Sequence, residues 1–308
     1  MVNVYEAVSA NKRRSWVVIV CFVAFILGAT YLITKGFAAY YGYPSSGLEF
    51  AGLALIISGI SSFVSYYYSD KIILSMSHAR PADRRRDFDF YTVTENLSLA
   101  AGIPMPKLYV IDDPAMNAFS TGRDPAHAAV CATSGLLARL NRTELEGVIG
   151  HELTHITDYD TRLMSIVVVL VGLITLLGDW LIRSAWWGGG RRSRDSEGES
   201  GLFIIIGFVL AILSPIIAQL IQLAISRRRE YLADAGSVNL TRQPSGLISA
   251  LKKLSADNEP LDVANKATAH LYIVNPLKGH TGAVSWFANL FNTHPPIADR
   301  IAALQAMS

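Results

Sequence analysis

Long apolar segments alternate with polar segments along the chain and indicate its coarse architecture. An α-helix needs roughly 20 mainly apolar residues to cross a bilayer. Segments close to this length are residues 16–33, 48–66, 164–182 and 202–225. The pattern predicts a mainly α membrane protein with four transmembrane helices, paired as two membrane hairpins with a polar region between them.

The distribution of basic residues predicts the orientation of the first hairpin. Lysine and arginine residues 12–14 precede the first span, and Lys71 and the arginines at 84–86 follow the second. The connection between these spans carries Lys35 as its basic residue. Because positively charged residues are enriched in cytoplasmic segments, we expect the N-terminus and the region after the second span to be cytoplasmic.

The polar region after the second span has the signals of an α+β domain. Residues 89–101 predict a helix, which Gly102 and Pro104 end. The stretch "KLYVID" at 107–112 predicts a strand, and residues 117–134 predict a β-hairpin with an interruption at "GRDPAH".

The stretch "NRTELEGVIGHELTHI" predicts a helix with a defined start. Asn141 is a suitable N-cap, and Glu144 follows three residues later, as in a capping box. No turn-forming residue separates this helix from the third span. We therefore expect one continuous helix from His155 to residue 182.

These elements divide the chain into three parts. Residues 1–68 form an N-terminal membrane hairpin, and residues 69–161 together with 226–308 form a cytoplasmic domain. Residues 162–225 form a second membrane hairpin, inserted into that domain. Within residues 226–308, the stretch "SRRREYLADAGSV" is expected to continue the helix of the fourth span, and a further helix is expected near residues 296–307.

His151, Glu152 and His155 form an HExxH motif on the predicted helix. Histidines at positions i and i+4 leave the same helix face, at a separation that one zinc ion can bridge. Glu152 is turned about 100° from His151, where a carboxylate can take a proton from a water on the metal. The alternative is a pair of solvated histidines on an exposed helix.

A catalytic zinc site needs a third protein ligand. The metzincin pattern does not fit, because Asp158 and Thr161 stand where it requires glycine and histidine. Glu230 is the candidate: the two arms of the second hairpin are each roughly 40 Å long, so the returning arm brings Glu230 back to the height of His155. A surface carboxylate at the membrane boundary is the alternative for Glu230.

Four further residues are candidates for roles around the metal. Asp160 and Asp234 can accept hydrogen bonds from the outer imidazole nitrogens, or they can be solvated. Asn117 opens the predicted hairpin, where it either forms a turn or lies beside a strand that a substrate could extend. His294 could cap the last helix or donate a hydrogen bond to a developing oxyanion.

Composition supports a membrane protein and excludes nucleic acid as a partner. Of the 308 residues 51% are hydrophobic, and the mean hydropathy is +0.31. A net charge of +2, with no basic cluster interleaved with aromatic residues, does not indicate a nucleic-acid surface. Cys21 and Cys131 have no CxxC spacing, so we expect neither a disulfide framework nor a thiolate metal site.

Together these motifs resemble the HtpX family of membrane-bound zinc metallopeptidases, a branch of the gluzincins related to the CAAX prenyl endopeptidases. With the two span pairs, the resemblance covers nearly the whole chain. One departure is Ser120 and the flanking Cys131, where alanine or valine is more usual. The motifs, in chain order, are "AGIPMPKLYVID", "MNAFSTG", "AVCATSGLL", "ELEGVIGHELTHITDYD", "SRRREYLADAGSV" and "THPPIADRI".

The resemblance implies a zincin-type metallopeptidase domain that binds one Zn²⁺ per chain. It implies that His151, His155 and Glu230 are the zinc ligands, that Glu152 is the catalytic base, and that Asp234 lies just behind the ligands. It also implies roles on the substrate side for the asparagine of "NAFSTG" and the histidine of "HPP", which are the Asn117 and His294 discussed above.

The expected function is therefore zinc-dependent endopeptidase activity at the cytoplasmic surface of the cell inner membrane. The resemblance implies that unfolded or damaged membrane proteins are the substrates. It also implies a role in membrane-protein quality control, where other quality-control proteins are possible partners. Two alternatives stay open at the level of sequence. The chain could be a CAAX prenyl-protein endopeptidase, or a membrane-anchored zinc-binding sensor without protease activity.

Overall fold

Helices surround one small β-sheet in this chain. The computed structural model describes residues 4–42, 44–188, 227–257, 259–261, 271–273 and 295–307. The fourth predicted span, at residues 202–225, and the candidate His294 lie outside the described residues.

Two long helices, α1 (Val4–Tyr41) and α2 (Ala51–Met76), lie at the N-terminus. The stretch Val8–Leu32 of α1 and the whole of α2 are long and apolar enough to cross a membrane. Large apolar side chains exposed on these helices include Trp16, Val20, Leu53, Ile56, Ile60 and Phe63. Exposed apolar surface of this extent suits contact with lipid. The two helices overlap the first two predicted spans, at residues 16–33 and 48–66.

The sheet consists of β1 (Arg80–Pro81), β2 (Lys107–Ile111), β3 (Ala118–Gly122) and β4 (Ala128–Thr133). Its strand order is β1-β2-β4-β3, with β2 parallel to β4 and β3 antiparallel to β4. The strand at "KLYVID" and the hairpin that follows it are therefore confirmed, and β3 lies at an edge of the sheet.

Helices α3 (Phe88–Ala101), α4 (Ser134–Arg139) and α5 (Arg142–Thr157) pack around the sheet. Helix α3 ends at Gly102, whose left-handed φ of 67° is one that glycine adopts without steric cost. Helix α5 begins with the predicted capping box: Asn141 accepts a hydrogen bond from the Glu144 backbone, and Glu144 accepts one from the Asn141 backbone.

The expectation that one continuous helix joins HExxH to the third span is wrong. Helix α5 is capped at Asp158, and α6 (Asp160–Gly188) begins as a separate helix. Tyr159, between them, has a φ of 61°, a left-handed conformation that interrupts a right-handed helix. Lys12 and Arg162 lie over the Tyr159 ring, 4.3 and 4.8 Å from its centroid. Cation–π contacts thus stabilise a break that no glycine or proline marks in the sequence.

Helix α6 contains the whole third predicted span, and its first turns are buried against α1. Leu163, Ile166 and Leu170 pack there with Val18 and Phe22. The span is thus helical, while a four-helix membrane domain is not established by the described residues.

The C-terminal part contributes α7 (Arg227–Thr241), α8 (Pro244–Ala256) and α9 (Ile297–Gln305). Helix α7 carries the "EYLAD" stretch, and α9 corresponds to the helix predicted near residues 296–307. Helix α7 packs directly on α5, and α8 lies between α5 and α9 in the same apolar core.

Apolar cores lie on both faces of the sheet. On one face, Val130 packs with Val148 of α5 and Leu251 of α8. On the other face, Phe119 and Cys131 pack with Ile73 of α2 and Val168 of α6. The ends of two long apolar helices are therefore part of the same packed body as the sheet and the HExxH helix.

Candidate metal centre

The two histidines of HExxH point their Nε2 atoms at each other from one face of α5. The Nε2 atoms of His151 and His155 are 3.1 Å apart. Glu230 of α7 completes the group: its carboxylate oxygens lie 3.6 Å from each of these nitrogens. All three side chains are buried, and their ligand atoms lie within 4.8 Å of one another.

Small residues allow α7 to approach α5 closely enough to form this group. The Ser237 hydroxyl donates a hydrogen bond of 2.7 Å to the Gly147 carbonyl oxygen. A Cβ atom on Gly150 would lie 2.9 Å from Ser237 Oγ, and one on Gly236 would overlap the Thr154 side chain. These contacts place α7 directly against α5, so that Glu230 and Asp234 of α7 face the two histidines of α5.

A buried aspartate faces the outer nitrogen of each histidine. Asp234 Oδ1 lies 3.0 Å from His151 Nδ1, and Asp160 Oδ2 lies 3.0 Å from His155 Nδ1. A carboxylate only accepts hydrogen bonds, so each Nδ1 carries the proton and each Nε2 presents a lone pair. The structure thus brings both candidate aspartates to the positions considered from sequence.

The donor set fits a divalent metal such as zinc. Two imidazole nitrogens and a carboxylate are common zinc ligands, and tetrahedral zinc separates neighbouring ligand atoms by about 3.4 Å. The observed separations of 3.1 and 3.6 Å are close to this value. At this distance the lone pairs of the two Nε2 atoms would repel each other, and either a proton or a metal cation between them removes the repulsion.

Protons compete with a metal for the same nitrogen. Burial lowers the pKa of His155, but the hydrogen bond to Asp160 and the charge of Glu230 outweigh it and raise the pKa to about 9. Because a histidine ligand must be deprotonated, metal affinity should rise as the pH increases toward this value.

Glu152 lies next to the candidate metal ligands on α5 and is hydrogen-bonded to the edge strand. Its Oε2 accepts a hydrogen bond of 2.6 Å from the hydroxyl of Ser120 in β3. Glu152 is buried, as its neighbours are. The hydrogen bond from Ser120 therefore fixes the direction of the carboxylate at the position where a general base is expected.

Asn117 is buried immediately before β3. Its backbone N–H donates a hydrogen bond of 3.0 Å to Thr133 Oγ1, and its Oδ1 accepts one of 3.2 Å from the Ala118 backbone. These contacts stabilise the start of the hairpin, and the substrate-side role suggested for Asn117 stays a prediction. The same holds for His294, which is outside the described residues.

Arg300 of α9 is the main site residue that the sequence analysis missed. It is fully buried and donates hydrogen bonds of 2.9 and 2.6 Å to the two oxygens of Asp234. Its guanidinium also lies 3.6 Å from Glu230. The sequence of the last helix contains an indication of this role. Arg300 falls on the apolar stripe formed by Ile297, Ile301 and Leu304, and a charge on a buried stripe requires a buried partner.

Comparison with known proteins agrees with this geometry. Residues 85–308 match the model described as Peptidase family M48. This range contains the candidate metal ligands, Glu152 and Arg300.

Curated proteins named "Protease HtpX homolog" match almost the whole chain. The relative from Dictyoglomus thermophilum is 46% identical over 306 residues, which cover 98% of this chain and 94% of the relative. The relative from Caldanaerobacter subterraneus subsp. tengcongensis is 41% identical, with 99% and 98% covered. The relative from Streptococcus uberis is 44% identical, with 98% and 99% covered.

Among solved structures, the crystal structure of S. mikatae Ste24p matches with a TM-score of 0.46 and 19% sequence identity. The match covers 94% of this chain and 66% of that chain. A similarity at this level does not support an inference about function.

Proposed function

The chain belongs to Peptidase family M48 and to the HtpX proteases within it, and from this premise we propose a specific metal centre and place of action. It is a membrane-bound metalloendopeptidase. We propose that zinc is the metal and that it is held by His151, His155 and Glu230. The convergence of these three buried ligands beside Glu152 is the observation that carries the proposal.

The proposed chemistry is hydrolysis of a peptide bond by water. Zinc held by His151, His155 and Glu230 would lower the pKa of a water molecule and polarise the scissile carbonyl group. Glu152 accepts the proton from the water and returns it to the amine nitrogen of the leaving group. Asp234 and Asp160 keep both imidazoles in the tautomer that leaves Nε2 available for the metal.

The edge of β3 is the proposed place for an extended substrate. In an antiparallel ladder alternate residues direct their backbone groups away from the partner strand. The backbone groups of Ala118 and Gly122 point away from β4. The Ala118 carbonyl oxygen accepts a hydrogen bond of 3.0 Å from the Ile273 backbone N–H, and the Gly122 N–H donates one of 3.3 Å to Ser165 Oγ. Ser120, midway between them, also contacts Glu152. Because Ala118 and Gly122 already make these hydrogen bonds, the backbone of Ser120 is the part of the edge that we propose for pairing, and a polypeptide bound there would lie next to the general base.

The contacts of the long helices support a cytoplasmic catalytic domain. The N-terminal end of α1, the C-terminal end of α2 and the N-terminal end of α6 all pack against the domain that holds the metal ligands. These ends must then lie on one side of the bilayer, and the basic residues 12–14 and 84–86 favour the cytoplasmic side. We propose a multi-pass protein of the cell inner membrane with four transmembrane helices, including a second hairpin at 162–225.

A catalytic centre at the bilayer surface is close to particular polypeptides. Loops of membrane proteins and unfolded segments near the lipid have a high effective concentration there. Strand addition relies on main-chain hydrogen bonds, so it tolerates many side chains. Both features support a role in the quality control of misfolded or damaged membrane proteins.

Replacement of Glu152 by glutamine tests the proposed chemistry. The variant keeps the shape of the side chain but cannot take up the proton, so cleavage of an unfolded protein should fall by about 10²–10⁴-fold while zinc content is unchanged. Glu146→Gln is the matched control, because Glu146 is on the same helix and pairs with Arg142 at 3.4 Å instead. Cleavage by Glu152→Gln at the wild-type rate would disprove this role.

A further inference from the structure

The N-terminal membrane helix makes a buried polar contact with the metal centre. Asn11 lies in α1, ahead of the predicted span at residues 16–33, and is only 2% exposed. We infer that Asn11 is a positioning residue of the metal centre, which holds Asp160 and through it orients His155. The inference rests on the proposed metal centre.

Asp160 uses its two carboxylate oxygens for different partners. Its Oδ2 faces His155 Nδ1 at 3.0 Å, while its Oδ1 accepts a hydrogen bond of 2.7 Å from Asn11 Nδ2. The guanidinium of Arg229 lies 3.3 Å from the same Oδ1. With one oxygen held from α1 and α7, the plane of the carboxylate is fixed, and the other oxygen is directed at the imidazole.

The side-chain amide of Asn11 uses its donors and its acceptor together. Nδ2 donates to Asp160 Oδ1 and, at 2.9 Å, to the carbonyl oxygen of Asp158. Oδ1 accepts from Arg229 Nη1 at 3.4 Å. The reversed amide would face two acceptors with its oxygen, so its partners determine its orientation. A carboxylate, a hydroxyl or an apolar side chain cannot make the same set of bonds.

Asn11 bridges the break between the HExxH helix and α6. The Asp158 carbonyl is at the C-terminal end of α5, where carbonyl groups have no partner within the helix. Asp160 is the first residue of α6. The neighbouring Lys12 lies over the ring of Tyr159, which forms the break. Adjacent residues of α1 therefore hold all three residues of the junction that positions His155.

This contact connects the membrane anchor to a metal ligand through one rigid element. Helix α1 has 38 residues and is about 57 Å long, enough to cross a bilayer and extend beyond it. Val18 and Phe22, further along α1, pack on α6. A displacement of α1 would move Asn11 relative to Asp160, and the orientation of His155 depends on that distance.

Zinc affinity of the full-length protein in detergent micelles tests the inference. Asn11→Ala should bind zinc about tenfold more weakly than wild type in competition with a chromophoric chelator, as expected when an outer hydrogen-bond partner is lost. Ser15→Ala is the matched control: Ser15 is equally buried on α1, and its hydroxyl donates to the Asn11 carbonyl within the same helix. It should keep wild-type affinity.

A double-mutant cycle distinguishes positioning from a general effect on the fold. If Asn11 acts through Asp160, Asn11→Ala should not weaken zinc binding further in an Asp160→Ala background. The visible spectrum of the cobalt-substituted protein should change in Asn11→Ala and not in Ser15→Ala. Asn11→Leu, which nearly keeps the size of the side chain and loses both donors without adding a charge beside Asp160, gives the same test if the alanine variant does not fold.

The outcomes separate this inference from the proposed function. Absence of zinc binding by the wild-type protein would overturn both. Zinc binding by wild type, with unchanged affinity and cobalt spectrum in the folded Asn11 variants, would overturn the positioning role alone. Fully additive losses in the double-mutant cycle would also overturn it.

Discussion

At the scale of single residues, the candidate metal centre depends on buried charges whose partners come from distant parts of the chain. Arg300 has no exposed surface, and a buried arginine is tolerated when its charge is compensated. Asp234 supplies that compensation and at the same time accepts from His151. The arginine therefore holds the aspartate that faces His151, a candidate metal ligand.

Arg300→Lys is the corresponding residue-scale prediction. A lysine keeps the charge but cannot bond both oxygens of Asp234 in parallel, so the carboxylate should lose its fixed orientation. We expect zinc affinity to fall by about tenfold, measured by chelator competition. Arg139→Lys, which replaces an exposed arginine that is paired with Asp257, should leave the affinity unchanged. Equal affinities in all three proteins would contradict the role of Arg300.

The residues predicted most directly from sequence are those whose geometry is local. His151, Glu152 and His155 follow from helical spacing. Glu230 was predicted from the equal arms of the second hairpin, although the break at Tyr159 removes the continuous arm on which that estimate relied. Arg300 and Asn11 were not predicted, because their partners are separated from them by 66 and 149 positions. No spacing rule indicates which buried carboxylate such a residue will meet.

At the scale of elements, the start of α5 determines where HExxH lies. Glu144 accepts hydrogen bonds from Lys253 at 2.7 Å and from Ser249 at 2.6 Å, in addition to its capping bond. These contacts connect the first turn of α5 to α8. Burial raises the pKa of Glu144, but the hydrogen bonds from Lys253 and Ser249 outweigh it, and the pKa lies below its usual 4.5.

Glu144→Gln should therefore destabilise the protein in a pH-dependent way. A carboxylate with a lowered pKa in the folded state stabilises the fold above its unfolded pKa, and this contribution is lost as the pH falls through the folded-state value. At pH 7 we expect a loss of about 1–2 kcal/mol relative to wild type.

Thermal unfolding in detergent between pH 8 and pH 3 measures this difference. The gap between the melting temperatures of wild type and Glu144→Gln should narrow as the pH falls below about 4.5. Glu146→Gln, on the partly exposed side of α5, should differ little from wild type at any pH. A constant gap for Glu144→Gln across the range would argue against the lowered pKa.

The elements themselves were largely predictable, and one junction was not. The capping box, the "KLYVID" strand and the hairpin have local signals that the structure confirms. The break at Tyr159 has no such signal, because its left-handed backbone is stabilised by cations from α1 and α6. Local sequence therefore favoured a continuous helix that tertiary contacts interrupt.

At the scale of the whole molecule, the membrane helices and the catalytic domain share their packing. Ile73 of α2 and Val168 of α6 belong to the apolar core behind the sheet. The boundary proposed at residues 68 and 69 falls within α2, which continues to Met76. The anchor and the domain are thus continuous, and we expect the activity to depend on an intact membrane region.

The topology of the second hairpin gives a prediction at this scale. If 164–182 and 202–225 both cross the bilayer, residue 193 faces outward, although arginines 183, 191, 192 and 194 oppose the positive-inside trend. In a Cys21→Ala background, Ser193→Cys should react with a membrane-impermeant maleimide added from outside the inner membrane. Reaction from the cytoplasmic side alone would exclude a crossing pair.

The central claim is that α5 and α7 together build one zinc site, and metal stoichiometry tests it most directly. Full-length wild-type protein and Glu230→Ala, purified in parallel and dialysed against the same low free zinc concentration, would be analysed by mass spectrometry for metal per chain. We expect about one zinc per wild-type chain and almost none in Glu230→Ala, because two histidines alone bind zinc weakly. Equal zinc content in the two proteins, or another metal at one per chain, would contradict the account.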